Sequence, residues 1–217
     1  MAGEDWPPAI HAALADDAQT LALLHDREPT AEMLRDLRAI GFPANLTLLP
    51  LGARAQAAWQ AMGAALAALP EAIDAAELDR LAADFAAIHF TAAYRAPPCE
   101  SAWIDEDGLL CAQAMFDWRA LLRQAGLAAA DWRRRPDDHL VLQLGYLAHA
   151  LRRAETGADW QAIADVLDTH LLRWLPEFCA RIAQRCATPF HAGLAQLTAA
   201  WIEELRALIG RRLAGGE

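Results

Sequence analysis

The chain has 217 residues, 55% of them hydrophobic and 22% charged, a length and balance that suit one folded domain and exclude a disordered or fibrous protein. Its formal charge of −10 argues against non-specific nucleic-acid binding, which needs clustered cations, and suits a cationic partner. All basic side chains are Arg and none is Lys, so a lysine Schiff base and a P-loop lysine are excluded. Taken in chain order, the pattern is helical throughout. The opening Met1–Pro8 has neither a basic nor an apolar region of the kind a signal peptide needs, and no uncharged run reaches membrane-spanning length, so a soluble, cytoplasmic protein is expected. Pro7 and Pro8 open a first helix with an apolar face of Ile10, Leu14, Leu21 and Leu24. Thr30 caps a second, carrying Met33, Leu34 and Leu37, which Gly41 and Pro43 end. Leu46 to Leu49 is apolar, but a lone strand there has nothing to pair with. A third helix runs through Trp59, Met62 and Leu66 to Pro70.

Asp74 and Glu77 form a capping-box pattern ahead of a stripe of Leu78, Leu81, Phe85, Ile88 and Ala92. Tyr94 to Ser101 reads as an extended loop stiffened by Pro97 and Pro98. The next helix is expected over Gly108 to Ala125, with Gly126 in the C′ role. Pro136 is expected in the first turn of another, with Asp137 and Asp138 at its positive end and a stripe of Leu140, Leu144, Leu147 and Leu151. Gly157 separates it from a helix with Trp160, Ile163, Val166, Leu167 and His170, and Pro176 is expected to restart the chain into Phe178, Ile182 and Cys186. Thr188-Pro189 begins a long last helix through Phe190, Leu194, Leu197, Trp201, Leu205 and Leu208, with Arg211 and Arg212 at its negative end. The fold class is therefore all-α, a compact bundle of about eight or nine helices with no internal repeat.

The residues offer little chemistry. Cys99, Cys111, Cys179 and Cys186 form no C-x-x-C pair, and no phosphate loop, H-E-x-x-H or G-x-S-x-G motif is present. Asp165, Asp168 and His170 do not share one helical face, so they make a poor metal set, and His170 is spaced to stack on Trp174. No catalytic residue, metal or cofactor is assigned. Asp137-Asp138-His139 has two readings: ordinary capping carboxylates at a helix start, or a functional cluster. Glu100 and Ser101 after the Pro-Pro turn are equally open, and Arg133-Arg134-Arg135 reads as a solvated loop.

Ala96-Pro97-Pro98-Cys99-Glu100-Ser101-Ala102-Trp103 resembles the P-P-x-E-S-x-[YW] segment of the TorD/DmsD/NarJ-like redox-enzyme maturation chaperones. About thirty-five residues on, Arg135-Pro136-Asp137-Asp138-His139-Leu140 is similar to the family's P-x-D-H signature. His170 to Phe178, reading HLLRWLPEF, and the opening of the last helix, Thr188 to Leu197, follow in the family's order. The resemblance implies a TorD-like, two-lobed helical domain over 1–217, with lobes at about 1–95 and 105–217 joined by the Pro-Pro loop. It further implies a chaperone, not an enzyme, whose partners are the twin-arginine signal peptide and the apo catalytic subunit of a molybdenum-cofactor oxidoreductase, and it leaves a homodimer open. The peptide-binding residues it implies are Glu100, Ser101, Trp103, Pro136, Asp138, His139 and Phe85, with Glu100 and Asp138 as acceptors for guanidinium and His139 as a group that tunes the site with pH. Cys99 and Glu106 depart from the family pattern, which bears on leader selectivity. The alternatives are a NarJ-like factor for a non-exported molybdoenzyme, a small helical hydrolase using Asp138 and His139 as acid and base, and a helical DNA-binding regulator, which the acidity disfavours.

Overall fold

Alanine, leucine and arginine at 3.6-residue spacing give helices, and helices are what form. The structure is a computed structural model that describes residues 6–91, 93–129 and 135–215. It contains α1 (Pro8–Asp26), α2 (Ala31–Ala39), α3 (Ala53–Ala68), α4 (Ala75–His89), α5 (Ser101–Ile104), α6 (Gln113–Gln124), α7 (Leu140–Arg153), α8 (Gly157–Val166), a π-helical turn (Leu167–Leu171), α9 (Leu172–Arg185) and α10 (Pro189–Gly215). Among the described residues there is no strand, and no helix is long and apolar enough to cross a membrane. Residues 1–5, Ala92, Arg133 and Arg134, on which parts of the sequence reading fell, lie outside the described residues.

The chain divides into two compact units that interleave in sequence. One gathers 1–25, 98–175 and 205–217, and the other 26–97 and 176–204. One boundary of this division falls between Pro97 and Pro98; α1 groups with the later helices, while most of α9 and the first half of α10 group with the earlier ones.

In the first unit Trp118, Trp160 and Trp174 are wholly buried, and truncating any of them to alanine would cost about 3–5 kcal/mol. Of the expected α1 stripe, Leu14, Leu21 and Leu24 are buried together with Ala18 and Ala22, while Ile10 in the first turn is exposed. Trp6 and Trp160 meet edge to face at 4.9 Å, and the Arg212 guanidinium lies 4.8 and 5.3 Å from their ring centres. Thr156 and Asp159 form a reciprocal capping box at α8.

In the second unit Thr30 and Asp74 cap α2 and α4 through the amides of Met33 and Glu77. Leu46 to Leu49 forms no strand: Leu46 and Leu48 are buried in an irregular turn, and Leu49 is exposed. A Cβ at Gly193 of α10 would stand 3.1 Å from Met62 Cα of α3, so the glycine sets the approach of these two helices. Pro176 does not restart the chain, as the sequence suggested. It is the fifth residue of α9, and the backbone takes up the register change in the π turn just upstream.

Candidate functional site

Two loops distant in sequence are fastened together in the first unit. Pro97 and Pro98 hold the chain extended, which lets Cys99 form an isolated antiparallel bridge with His139. Leu140 N donates to Pro98 O at 2.8 Å, and Glu100 N donates to Asp138 O at 3.2 Å. The next residue turns into α5, whose first amide, Ser101 N, donates to Asp138 Oδ2 at 2.7 Å; Ser101 Oγ donates to the same oxygen at 2.5 Å. Helix α7 begins at Leu140, four residues later than Pro136 suggested, because His139 is its cap: its Nδ1 accepts from Val141 N at 3.2 Å. Adjacent residues thus cap two helices, Asp138 for α5 and His139 for α7. Asp137, also buried, accepts from Arg119 Nε of α6 at 2.7 Å.

Beneath this junction lies Glu100, wholly buried and met by three side chains from three other helical segments. Trp118 Nε1 of α6 donates to Oε2 at 2.6 Å, and Gln143 Nε2 of α7 donates to the same oxygen at 2.9 Å. His170 Nδ1, on the π turn, lies 3.0 Å from Oε1. Gln143 also donates to Asp138 O at 3.0 Å and accepts from Trp174 Nε1 at 3.2 Å, so one amide joins both motifs to α9. Ring contacts enclose the set: Trp118 with His170 at 5.0 Å and with Tyr146 at 5.5 Å, and Trp103 with Trp174 at 6.4 Å. A buried carboxylate is tolerated when its oxygens are supplied with donors, and Glu100 has three.

Burial raises the pKa of Asp138 above the usual carboxylate value, a rise that the Ser101 bonds oppose and the Glu100 charge reinforces. Its second oxygen, Oδ1, is buried with no hydrogen-bond partner among the described residues. Burial, with Arg135 and His25 nearby, pushes His139 down to about 3. Its ring is therefore neutral at physiological pH, matching an Nδ1 that accepts from an amide. His139 is thus not the pH-tuned group that its place beside Asp138 suggested. The same facts weaken the acid–base reading of the pair, since Asp138 Oδ2 is held on Ser101 and His139 Nδ1 on a helix amide.

The structure brings Glu100, Ser101, Asp138 and His139 together as one buried junction. Trp103 on α5 and Pro136 in the turn before the cap are half-buried beside it in sequence. Phe85 belongs to the other unit, where it packs on His89 at 4.5 Å and on the exposed Phe90 at 5.4 Å. Neither Glu100 nor Asp138 has exposed surface for a guanidinium to touch. Trp118, Gln143 and Trp174 were not singled out as site residues. Gln143 was the readable signal, a lone amide in the apolar run Leu140–Leu144 that opens α7. The imagined metal set is dispersed: Asp168 pairs with Arg206, Asp165 accepts from Gln161, and His170 meets Glu100. No group of three or more metal-ligating side chains occurs among the described residues.

The model of the nitrate reductase delta subunit family matches residues 55–180, a span that holds both fastened loops and the π turn. The chain belongs to this family. The delta subunit family includes the TorD-like chaperones whose segments the sequence resembles. Chaperone protein TorD of Vibrio cholerae serotype O1 is 34% identical over 114 residues, 49% of this chain and 51% of that protein. The TorD of Shewanella amazonensis is 35% identical over 99 residues, covering 45% and 39% of the two chains, and that of Shewanella loihica 29% over 140 residues, covering 62% and 64%. The chain spans about half the length of the curated relatives it matches.

Proposed function

We propose that this chain is a cytoplasmic maturation chaperone for a molybdenum-cofactor oxidoreductase, binding the twin-arginine leader and the apo catalytic subunit and turning over no substrate itself. The observation that carries the reading is the delta subunit match over 55–180, across the span in which the P-P-C-E-S and P-D-D-H segments are fastened to each other. Similar proteins named chaperone protein TorD support it. The buried carboxylates give the motif residues a definite part. Glu100, Ser101, Asp138 and His139 are positioning residues that fix the α5 and α7 starts, and Trp103 and Pro136 offer half-exposed surface to the leader. Phe85, buried in the other unit, is not counted with these residues.

A second reading, an assembly factor for a non-exported molybdoenzyme, is favoured by the family's own description as a nitrate reductase subunit. Calorimetric titration with a twin-arginine leader peptide, against a control lacking both arginines, separates the two. Saturable binding that needs the arginines supports the leader reading. Binding to neither peptide, with retention of an apo catalytic subunit, supports the second, and failure of both sinks the chaperone reading.

A further inference from the structure

Residues 105–117 carry a pattern that folding does not account for. Leu109, Leu110 and Phe116 are 58%, 57% and 52% exposed, three large apolar side chains within eight residues. On α6, Ala114, Met115, Trp118 and Leu122 point inward, leaving Gln113, Phe116 and Asp117 on the outer face. An amphipathic helix calls for polar residues there, and Phe116 breaks that pattern. The leucines sit on a built loop. Asp105 Oδ1 accepts from Asp107 N at 3.1 Å and from Leu109 N at 3.2 Å, and the backbone takes φ +64° at Gly108 and φ +63° at Cys111. A side-chain-bearing residue at positive φ costs about 1–2 kcal/mol, so Cys111 closes the loop at a local penalty. Grouped apolar side chains on a fixed loop mark an interaction surface.

The charge around them selects the partner. Glu106, Asp107 and Asp117 are exposed in the same stretch, and a nearby cation, Arg119, lies over the Phe116 ring at 5.5 Å and is matched by Asp137. A second copy of this chain would set the same acids against each other across a two-fold contact. A segment with cations beside apolar residues satisfies both halves of the patch.

We infer that the α5–α6 loop and the outer face of α6 are a docking surface for a basic, apolar peptide segment, with Leu109, Leu110 and Phe116 taking its apolar residues and Glu106, Asp107 and Asp117 facing its cations. This rests on the leader reading above and gives that leader a surface the buried carboxylates cannot offer.

The test is calorimetric titration of the full chain with a twin-arginine leader peptide. Combining Leu109→Ser, Leu110→Ser and Phe116→Ser is expected to weaken binding at least about tenfold with helicity unchanged. Combining Glu106→Gln, Asp107→Asn and Asp117→Asn is expected to weaken it at low salt and to match wild type at high salt. Equal affinity of wild type and the apolar variant overturns this surface while leaving the leader reading in place; no binding by wild type overturns the leader reading itself. A wild-type dimer that the apolar substitutions turn into a monomer assigns the patch to a second copy and also overturns the inference. If the triple variant loses helicity, Leu109→Ser, on the loop outside any helix, carries the same comparison.

Discussion

His139 closes the first turn of α7 with an imidazole nitrogen where Ser, Thr or Asp is usual, and this choice has a pH signature. Its ordinary pKa of 6.5 falls to about 3 in the fold, so the unfolded chain takes up the proton first. The contribution of the neutral ring is complete above pH 6.5 and is lost as pH falls toward 3. His139→Asn keeps a capping acceptor but removes this proton. The variant's stability, followed by urea unfolding between about pH 4 and 6, should fall less steeply than wild type by roughly 1.4 kcal/mol per pH unit. Asp138 has the opposite sign, since its raised pKa makes acidification stabilising above 3.8, but it is common to both proteins and cancels in the difference. Parallel curves would show that His139 does not titrate in this window. None of this was legible in the residue order. The sequence marked Glu100, Asp138 and His139 as notable, and the resemblance made them contacts for a leader. Their burial comes from Trp118, Gln143 and His170, which lie 18, 43 and 70 positions from Glu100.

At the scale of helices, what the sequence revealed divides by the range of the interaction. Thr30 and Asp74 bond amides three residues ahead, so their caps could be read directly. Pro136 and Pro176 misled because proline states where an amide is missing, not where a helix begins or breaks. The longest helix, α10, borrows its anionic end from α4. Asp84, almost wholly buried, accepts from Ala187 N at 3.1 Å, Thr188 N at 2.7 Å, Thr188 Oγ1 and Tyr94 O–H. Burial alone would raise its pKa, but these bonds outweigh burial and hold it below 3.8, so its contribution is present above 3.8 and lost as pH falls through the lowered value. Asp84→Asn turns one accepting oxygen into a donor among donors. It should cost on the order of 3 kcal/mol at neutral pH, read as a lower urea midpoint, with a smaller gap in acid. An unchanged midpoint would mean that water replaces the carboxylate at the start of α10.

For the whole molecule, the interleaving of the two units matters more than the helix count. The first unit is assembled from three stretches of chain, and the last stretch supplies specific parts of it. Leu205 and Ile209 are wholly buried, Arg206 makes two 2.8 Å bonds to Asp168 in the π turn, and Arg212 stacks on Trp6 and Trp160. Asp168 is two residues from His170, so the same short turn is held from outside by Arg206 and from inside by Glu100. Ending the chain after Glu204 removes Arg206 and both leucine-class side chains while leaving the entire span matched by the delta subunit family, 55–180, intact. If that span folded by its own contacts, the shortened protein would keep full stability. The packing argues otherwise. Losing two fully buried apolar side chains forfeits about 3–6 kcal/mol before the ion pair and the stacked guanidinium are considered. Urea unfolding of the shortened chain should therefore begin at a clearly lower midpoint, with fluorescence of the Trp160 region shifted to the red as its cover is lost. A midpoint equal to wild type would show that the 205–215 stretch lies on the first unit without stabilising it.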